Sequence, residues 1–187
     1  MKRAEFLNSL NQKLESINKS IQTFEKASIE ELSARKAAEK WNVLECIEHL
    51  IRYNDFYLTE FEKSLKRSRL SSDQSMKRGS FGQKSAASML PGQNGGIKPM
   101  RTFRSKNTLG ANLDQSVFSK FKKQQNELQR IIENAEDRDI GSVKCKTTLP
   151  LIKFRFPDAL EFVINHQVRH IIQAETALKN ANEKVEN

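Results

Sequence analysis

The stretch KWNVLECIEHLIRYNDFYLTEFEKSL, Lys40 to Leu65, carries a hydrophobic stripe along its whole length. Apolar residues recur at steps of three, four or seven, and Asn54 is the only polar member of the stripe. This spacing predicts a long amphipathic helix with one face in the core. The apolar positions are Leu44, Ile47, Ile51, Leu58, Phe61 and Leu65.

A second face of the same helix is also unsuited to solvent. At about 100° per residue, His49 lies roughly opposite the stripe. Its neighbours on that face are Cys46, Tyr53, Phe56 and Glu45. Because a helix that is apolar nearly all round is normally buried, the second face should meet another element or a pocket.

Three further long helices are predicted, which makes the chain an all-α four-helix protein. Its 187 residues fit a single domain with one core. A capping box at Ser28–Glu31 starts a short helical piece, and Pro150 limits any strand within residues 140–156. The apolar series are Leu7, Leu10, Leu14, Ile17, Ile21 and Phe24 in the first helix; Val117, Phe121, Gln124, Leu128, Ile131 and Ala135 in the third; and Leu160, Val163, Ile171, Ala174, Ala177 and Leu178 in the last.

Residues 68–112 are predicted to form a long basic loop between the second and third helices. They contain six of the seven glycines, with PGQNGG (Pro91–Gly96) at the centre. From Lys63 to Lys106 there are eleven Lys and Arg against the single acid Asp73, so this segment carries a net charge of 11 − 1 = +10. The whole chain has a net charge of +9, which leaves −1 for the rest. The basicity therefore belongs to one connection.

This loop allows three interpretations. Arg101 and Arg104, which flank Phe103, could cover a site and contact an anionic ligand. A solvated loop with no such role is the commoner case for this composition. Nucleic-acid binding is disfavoured because Phe81 and Phe103 are the loop's only aromatic residues, too few for a base-stacking platform.

Two of the three histidines lie in INHQVRH, Ile164 to His170. On a helix, His166 and His170 project side by side and interleave with the inward stripe. Neutral imidazoles are good ligands for zinc, nickel or iron, although spacing alone also fits partly buried rings bonded to a carbonyl or an acid. With His49 on a second buried face, a site with three protein ligands is favoured.

The pair does not match the zincin motif. That motif requires glutamate directly after the first histidine, and here the residue is Gln167. A catalytic base or an orienting group must therefore come from elsewhere. Glu45, one turn before His49, is the best candidate, and a solvated helix acid is the alternative.

The segments WNVLECIEHL (Trp41–Leu50) and HQVRH resemble the Trp-x7-His and HxxxH motifs of the DinB/YfiT-like superfamily. The resemblance implies a four-helix bundle in up-down-down-up order, with residues 68–112 crossing its length. It also implies one divalent transition metal held by His49, His166 and His170. Members include thiol S-transferases that use bacillithiol or glutathione-like cofactors and a mycothiol-dependent isomerase, and dimers are common among them.

These observations favour a metal-dependent enzyme that activates a low-molecular-weight thiol or water, of the thiol S-transferase or hydrolase type, acting on a small molecule. The alternative is a helical-bundle protein that binds a metal or ligand without turnover. No signal-peptide pattern opens the chain, and Cys46 and Cys145 are far apart, so a reducing cytoplasm is expected. No apolar run approaches a membrane span, and no membrane partner is expected.

Overall fold

The computed structural model describes residues 2–92, 96–97 and 99–185. The centre of the predicted loop, residues 93–95, and Lys98 lie outside the described residues. The described chain is mostly helical, with one small antiparallel sheet. Its elements are α1 (Arg3–Phe24), α2 (Ile29–Ser33), α3 (Val43–Arg67), α4 (Ser80–Ala87), a 3₁₀ helix (Arg104–Lys106), α5 (Ser116–Glu133), β1 (Lys144–Lys146), β2 (Lys153–Arg155) and α6 (Phe156–Val185).

Capping boxes start the helices α2 and α3. At α2, the Ser28 hydroxyl accepts from the Glu31 amide at 3.2 Å and the Glu31 carboxylate accepts from the Ser28 amide at 2.6 Å, which confirms the predicted box. At α3, the Asn42 side chain accepts from the Glu45 amide at 2.8 Å, and the Glu45 carboxylate accepts from the Asn42 amide at 3.0 Å. These bonds satisfy amides that a helix start leaves without partners.

The core lies between four long helices. α3 packs against both α5 and α6, and α1 packs against the same two helices. Every apolar position of the α3 stripe is buried, as are Phe6, Leu10 and Phe121. Burial of each such side chain stabilises the fold by about 1.5–3 kcal/mol. Among the described residues, no helix is both long and apolar enough to cross a membrane.

Paired contacts fix how these helices lie beside one another. α1 meets α6 where Lys13 donates to Asn165 at 2.7 Å, and again where Ser20 donates to Glu175 at 2.7 Å. Two ring pairs join α3 to α6, and one joins α1 to α5. Their centroid separations are 6.3 Å for Tyr57–Phe162, 5.5 Å for Phe61–Phe156 and 6.5 Å for Phe24–Phe118.

Part of the connection predicted as loop is helical, which corrects that expectation for Ser80–Ala87. This helix, α4, packs against the start of α6, where a Cβ on Gly82 would come within 2.6 Å of the Asp158 Cβ. Arg78 forms ion pairs with Asp158 and Glu161 at the same junction. Tertiary contacts hold α4, so hydrophobic periodicity alone did not predict it.

The extended segment before α6 forms a short hairpin. β1 pairs with β2 so that Cys145 faces Phe154, and both side chains are buried. The predicted alternation is confirmed there, since Lys144 and Lys146 are exposed on the other face. Cys145 and Cys46 are buried free thiols.

Candidate metal centre

The three histidines come together between α3 and α6. His49 lies on α3, and His166 and His170 lie one turn apart on α6. One ring nitrogen from each lies within 4.8 Å of the other two, and all three side chains are buried. The Nε2 atoms of His49 and His166 are 3.3 Å apart.

The outer nitrogens of two of these rings are already bonded. His49 Nδ1 lies 2.7 Å from the Lys106 carbonyl oxygen, and His170 Nδ1 lies 3.0 Å from Gln173 Oε1. A carbonyl oxygen can only accept, so each Nδ1 carries the proton and donates. The Nε2 lone pairs of His49 and His170 are therefore free to bind an ion, as in most protein metal sites.

This donor set fits a divalent transition metal. Tetrahedral zinc with Zn–N bonds of about 2.0–2.1 Å places its ligand nitrogens about 3.3–3.4 Å apart. The His49–His166 separation of 3.3 Å has that value. The three-histidine cluster could thus hold a metal ion, with small side-chain adjustments to bring in the third nitrogen.

Burial keeps the three imidazoles neutral. It lowers the pKa of His49 to about 4 and that of His170 to about 3. Burial also lowers the pKa of His166 well below its ordinary value, and the two neighbouring histidines add to the effect. Because a metal binds only the neutral ring, protons do not compete at neutral pH.

Aromatic rings enclose the cluster. Trp41 lies 4.6 Å from the His49 ring centre and 5.7 Å from that of His170. Tyr53 lies 4.9 Å from His49 and 4.6 Å from His166. Burial raises the pKa of Tyr53 to about 12, so its hydroxyl stays protonated and can donate a hydrogen bond. Such walls lower the local dielectric and strengthen electrostatic interactions within the site.

A segment that we call the strap, residues 103–110, crosses α3 at the site. It supplies the carbonyl of Lys106 to His49. The Lys106 ammonium donates to the Arg52 carbonyl and lies 5.3 Å from the centre of the Tyr53 ring. The Thr108 hydroxyl donates to the Glu45 carbonyl at 2.8 Å. The strap therefore positions His49 from outside its own helix.

Glu45 ties the strap to the start of α3. Its carboxylate accepts from the Arg35 guanidinium at 2.5 and 3.1 Å, and from the backbone amides of Asn42 at 3.0 Å and Gly110 at 2.5 Å. Burial alone would raise the pKa of Glu45, but the hydrogen bonds from Arg35, Asn42 and Gly110 lower it below its ordinary value. The carboxylate stays ionised and committed to these partners.

A family model described as the DinB superfamily matches residues 14–174, a span that includes all three histidines, Trp41 and the strap. The chain belongs to the DinB superfamily. This confirms the resemblance read from Trp41–Leu50 and the HxxxH pair. No curated protein and no solved structure matches the chain.

Two arginines of the long basic loop are also predicted from the sequence to contact an anionic ligand. Arg101 and Arg104 are exposed, as is Phe103 between them. Within the described part of the chain, neither arginine forms an ion pair. Both side chains lie at the surface, Arg104 within the strap and Arg101 just before it.

Sequence reasoning gave no role to Lys106 or Gln173, which orient two of the histidines. Gln173 lies three residues after His170 on one helix, so its contact could have been found from spacing. The Lys106 contact uses a backbone carbonyl, which any residue supplies, so no side-chain pattern marks it. Tyr53 was placed on the correct face of α3, but without a role at the site.

Proposed function

We propose that this DinB-superfamily protein is a metal-dependent enzyme in which His49, His166 and His170 hold one divalent transition metal. The observation that carries the proposal is the set of three buried neutral imidazoles, two of them with Nδ1 committed to acceptors. When bound, such an ion lowers the pKa of a coordinated thiol or water enough to give a nucleophile near neutral pH. Three protein ligands leave a position open for that group.

The chain's own residues would prepare this position. Trp41 and Tyr53 exclude bulk water from the histidines, and the protonated Tyr53 hydroxyl can donate to an oxygen or sulfur of the substrate. The Lys106 ammonium above Tyr53 favours an anionic ligand at this end of α3. A small thiol that attacks a small electrophile, or water that attacks a hydrolysable compound, suits these features.

Glu45 has a positioning role in this proposal and does not act as the base. Its carboxylate accepts from the Gly110 amide and its backbone carbonyl accepts from the Thr108 hydroxyl, so it holds the part of the strap that directly follows the carbonyl that orients His49. Arg101 and Arg104 are proposed to attract an anionic thiol or acid toward the site from the surface.

The proposed topology of the bundle is up-down-down-up. The α1–α6 contacts advance together along both helices, from Lys13–Asn165 to Ser20–Glu175, which supports a parallel pair. From the Tyr57–Phe162 contact to the Phe61–Phe156 contact, the position advances along α3 and goes back along α6, which supports an antiparallel pair. Phe24 meets Phe118 at the start of α5, while Arg3 donates to the Arg138 carbonyl beyond its end at 2.7 Å. This order makes α3 and α5 parallel and requires a long crossover.

One observation favours a second candidate, a metal- or ligand-binding protein without turnover. The group of described residues that could hold a metal contains no carboxylate, and Glu45 is occupied by Arg35, Asn42 and Gly110. No general base is therefore in evidence at the cluster.

A homodimer, a cytoplasmic location and a small-molecule substrate remain predictions, and nucleic-acid binding remains the least favoured function.

The test is a thiol titration of cobalt-substituted protein, followed by turnover. A low-molecular-weight thiol should change the visible absorption of the cobalt protein, and the same thiol should conjugate to a test electrophile faster than without protein. Tyr53→Phe should keep the spectral change and lower the rate, because it removes only the hydroxyl. Tyr57→Phe on the same helix is the matched control and should leave both unchanged.

The outcomes separate the two candidates. A spectral change without acceleration, across several thiols, electrophiles and hydrolysable esters, would favour the binding protein. Absence of any spectral change with thiols, together with ester hydrolysis, would point to water as the nucleophile. Absence of cobalt binding itself would contradict the enzyme and the metal-binding form of the alternative.

A further inference from the structure

The β1–β2 hairpin presents four cations on one face. Lys144 pairs directly with Arg155, and Lys146 pairs directly with Lys153. Like charges opposite each other on neighbouring strands destabilise a hairpin. Within residues 2–92, 96–97 and 99–185, none of the four forms an ion pair. Arg155 is half-buried and donates to the Gly141 carbonyl at 2.6 Å, whereas the three lysines are exposed. The repulsion among these charges does not favour folding, which indicates a role in binding.

The tip of the hairpin is apolar and projects into solvent. Leu151 is fully exposed, at 102 %, and Leu149 is 40 % exposed, with Pro150 between them. Leu151 also has a φ of 66°, in the left-handed region that disfavours every residue with a Cβ. A strained and fully exposed leucine contributes nothing to the core, and such residues cluster at functional sites.

Two neighbouring elements border the hairpin, and Phe81 lies on the face opposite to the cations. The Arg67 guanidinium, at the end of α3, donates to the Lys144 carbonyl at 3.0 Å and adds a fifth cation at the base of the hairpin. Phe81 on α4 is 60 % exposed and lies 5.8 Å from the Phe154 ring. The surface thus combines a projecting apolar tip with a cationic face behind it.

We propose that this hairpin docks on a membrane surface that carries anionic lipids. The tip leucines enter the boundary between headgroups and acyl chains, and the cations contact the lipid phosphates. Nucleic acid would satisfy the cations but leave the leucines in water, and an acidic protein would need a pocket shaped for the tip. Such peripheral contact needs no spanning helix and is independent of the histidine cluster. It departs from the expectation, drawn from the sequence, of no membrane partner.

The test is co-sedimentation of the full-length protein with vesicles. Binding is expected to phosphatidylcholine vesicles that contain phosphatidylglycerol, and not to phosphatidylcholine alone. Lys146→Glu with Lys153→Glu should weaken this binding by at least about 25-fold, at about 5-fold for each lost cation. Lys26→Glu with Lys123→Glu, which changes the net charge equally at exposed positions outside the hairpin, should retain most of it.

Leu151→Gly separates a docking role from a structural one. Glycine adopts a positive φ without strain, so the melting temperature should stay equal or rise. Vesicle binding should nevertheless fall by about 5- to 10-fold, because the apolar tip is lost. Equal loss of binding in both charge variants, with no effect of Leu151→Gly, would overturn the proposal in favour of general basicity. Tighter binding to duplex DNA than to anionic vesicles, unaffected by Leu151→Gly, would overturn it in favour of nucleic acid.

Discussion

His49 and His170 belong to one cluster, but the protein orients them in different ways. His170 donates to Gln173, three residues further along the same helix. His49 donates to the carbonyl of Lys106, which is separated from it by 57 residues and lies in the strap. The first support forms whenever α6 forms, whereas the second requires the crossover to be in place. The α3 half of the site therefore depends on tertiary structure that the α6 half does not need.

Glu45 makes two of the bonds that join the strap to α3, one to Thr108 and one to Gly110. It joins Arg35, the α3 cap and Gly110 through one buried carboxylate. The site is thus coupled to the stability of the strap, and the coupling acts on His49 alone. Changes at the strap should affect metal affinity and folding together, while changes beside His170 should affect metal affinity only.

The largest effect should follow Glu45→Ala. Two backbone amides and the Arg35 guanidinium lose a buried acceptor, so the free energy of unfolding should fall by about 3 kcal/mol. Metal affinity should fall by about 100-fold, because the carbonyl that orients His49 is no longer held. Urea denaturation and competition with a metal chelator measure the two quantities.

Glu48→Ala is the matched control for that variant. Glu48 lies on the same helix and pairs with the partly exposed Arg52 at 2.8 Å, so its loss should change the free energy of unfolding by less than about 0.5 kcal/mol. Similar destabilisation by both variants would contradict the special position of Glu45.

A smaller effect should follow Gln173→Ala. The His170 ring loses its acceptor, and metal affinity should fall by about 10-fold with little change in the free energy of unfolding. Gln129→Ala removes a half-exposed helical glutamine whose side chain donates to Glu133, and it should change neither quantity. If Gln173→Ala destabilises the fold as strongly as Glu45→Ala, the two halves of the site do not differ as described.

The smallest effect should appear in the pH dependence of stability. The pKa of Glu45 is lower in the folded protein than its ordinary value of 4.5. Its contribution is therefore fully present above the unfolded pKa and is lost as the pH falls through the folded pKa. Wild type and Glu45→Gln are to be denatured at several pH values from about 7 to about 3. Below about pH 4.5, the free energy of unfolding should fall less steeply in the variant than in wild type. Parallel curves for wild type and variant would contradict the lowered pKa of the Glu45 carboxylate in the folded protein.

The helices that bury long stripes were predictable because hydrophobic spacing alone defines them. The α3 stripe from Leu44 to Leu65 and the cap at Ser28 are both present in the structure. Helix α4 was not predictable in this way, since it has few apolar residues and depends on Gly82 lying against Asp158. Contacts between distant parts of the chain decide its conformation, and local sequence does not record them.

In the candidate site, too, some features were predictable from the sequence and others were not. The convergence of His49, His166 and His170 could be predicted from helix faces and from the family motifs. Glu45 was singled out from the sequence and its role stays a prediction, but its partners Arg35 and Gly110 lie in segments without periodicity. The backbone support from Lys106 could not be predicted, because it depends on where the strap crosses α3.

The most direct test of the central claim is metal analysis of protein purified without chelators or a nickel column. We expect about one equivalent of a divalent transition metal per wild-type chain, as three histidine ligands allow. His49→Ala, His166→Ala and His170→Ala should each lose most of it while circular dichroism shows a folded helical protein. Equal metal content in wild type and all three folded variants would contradict the account.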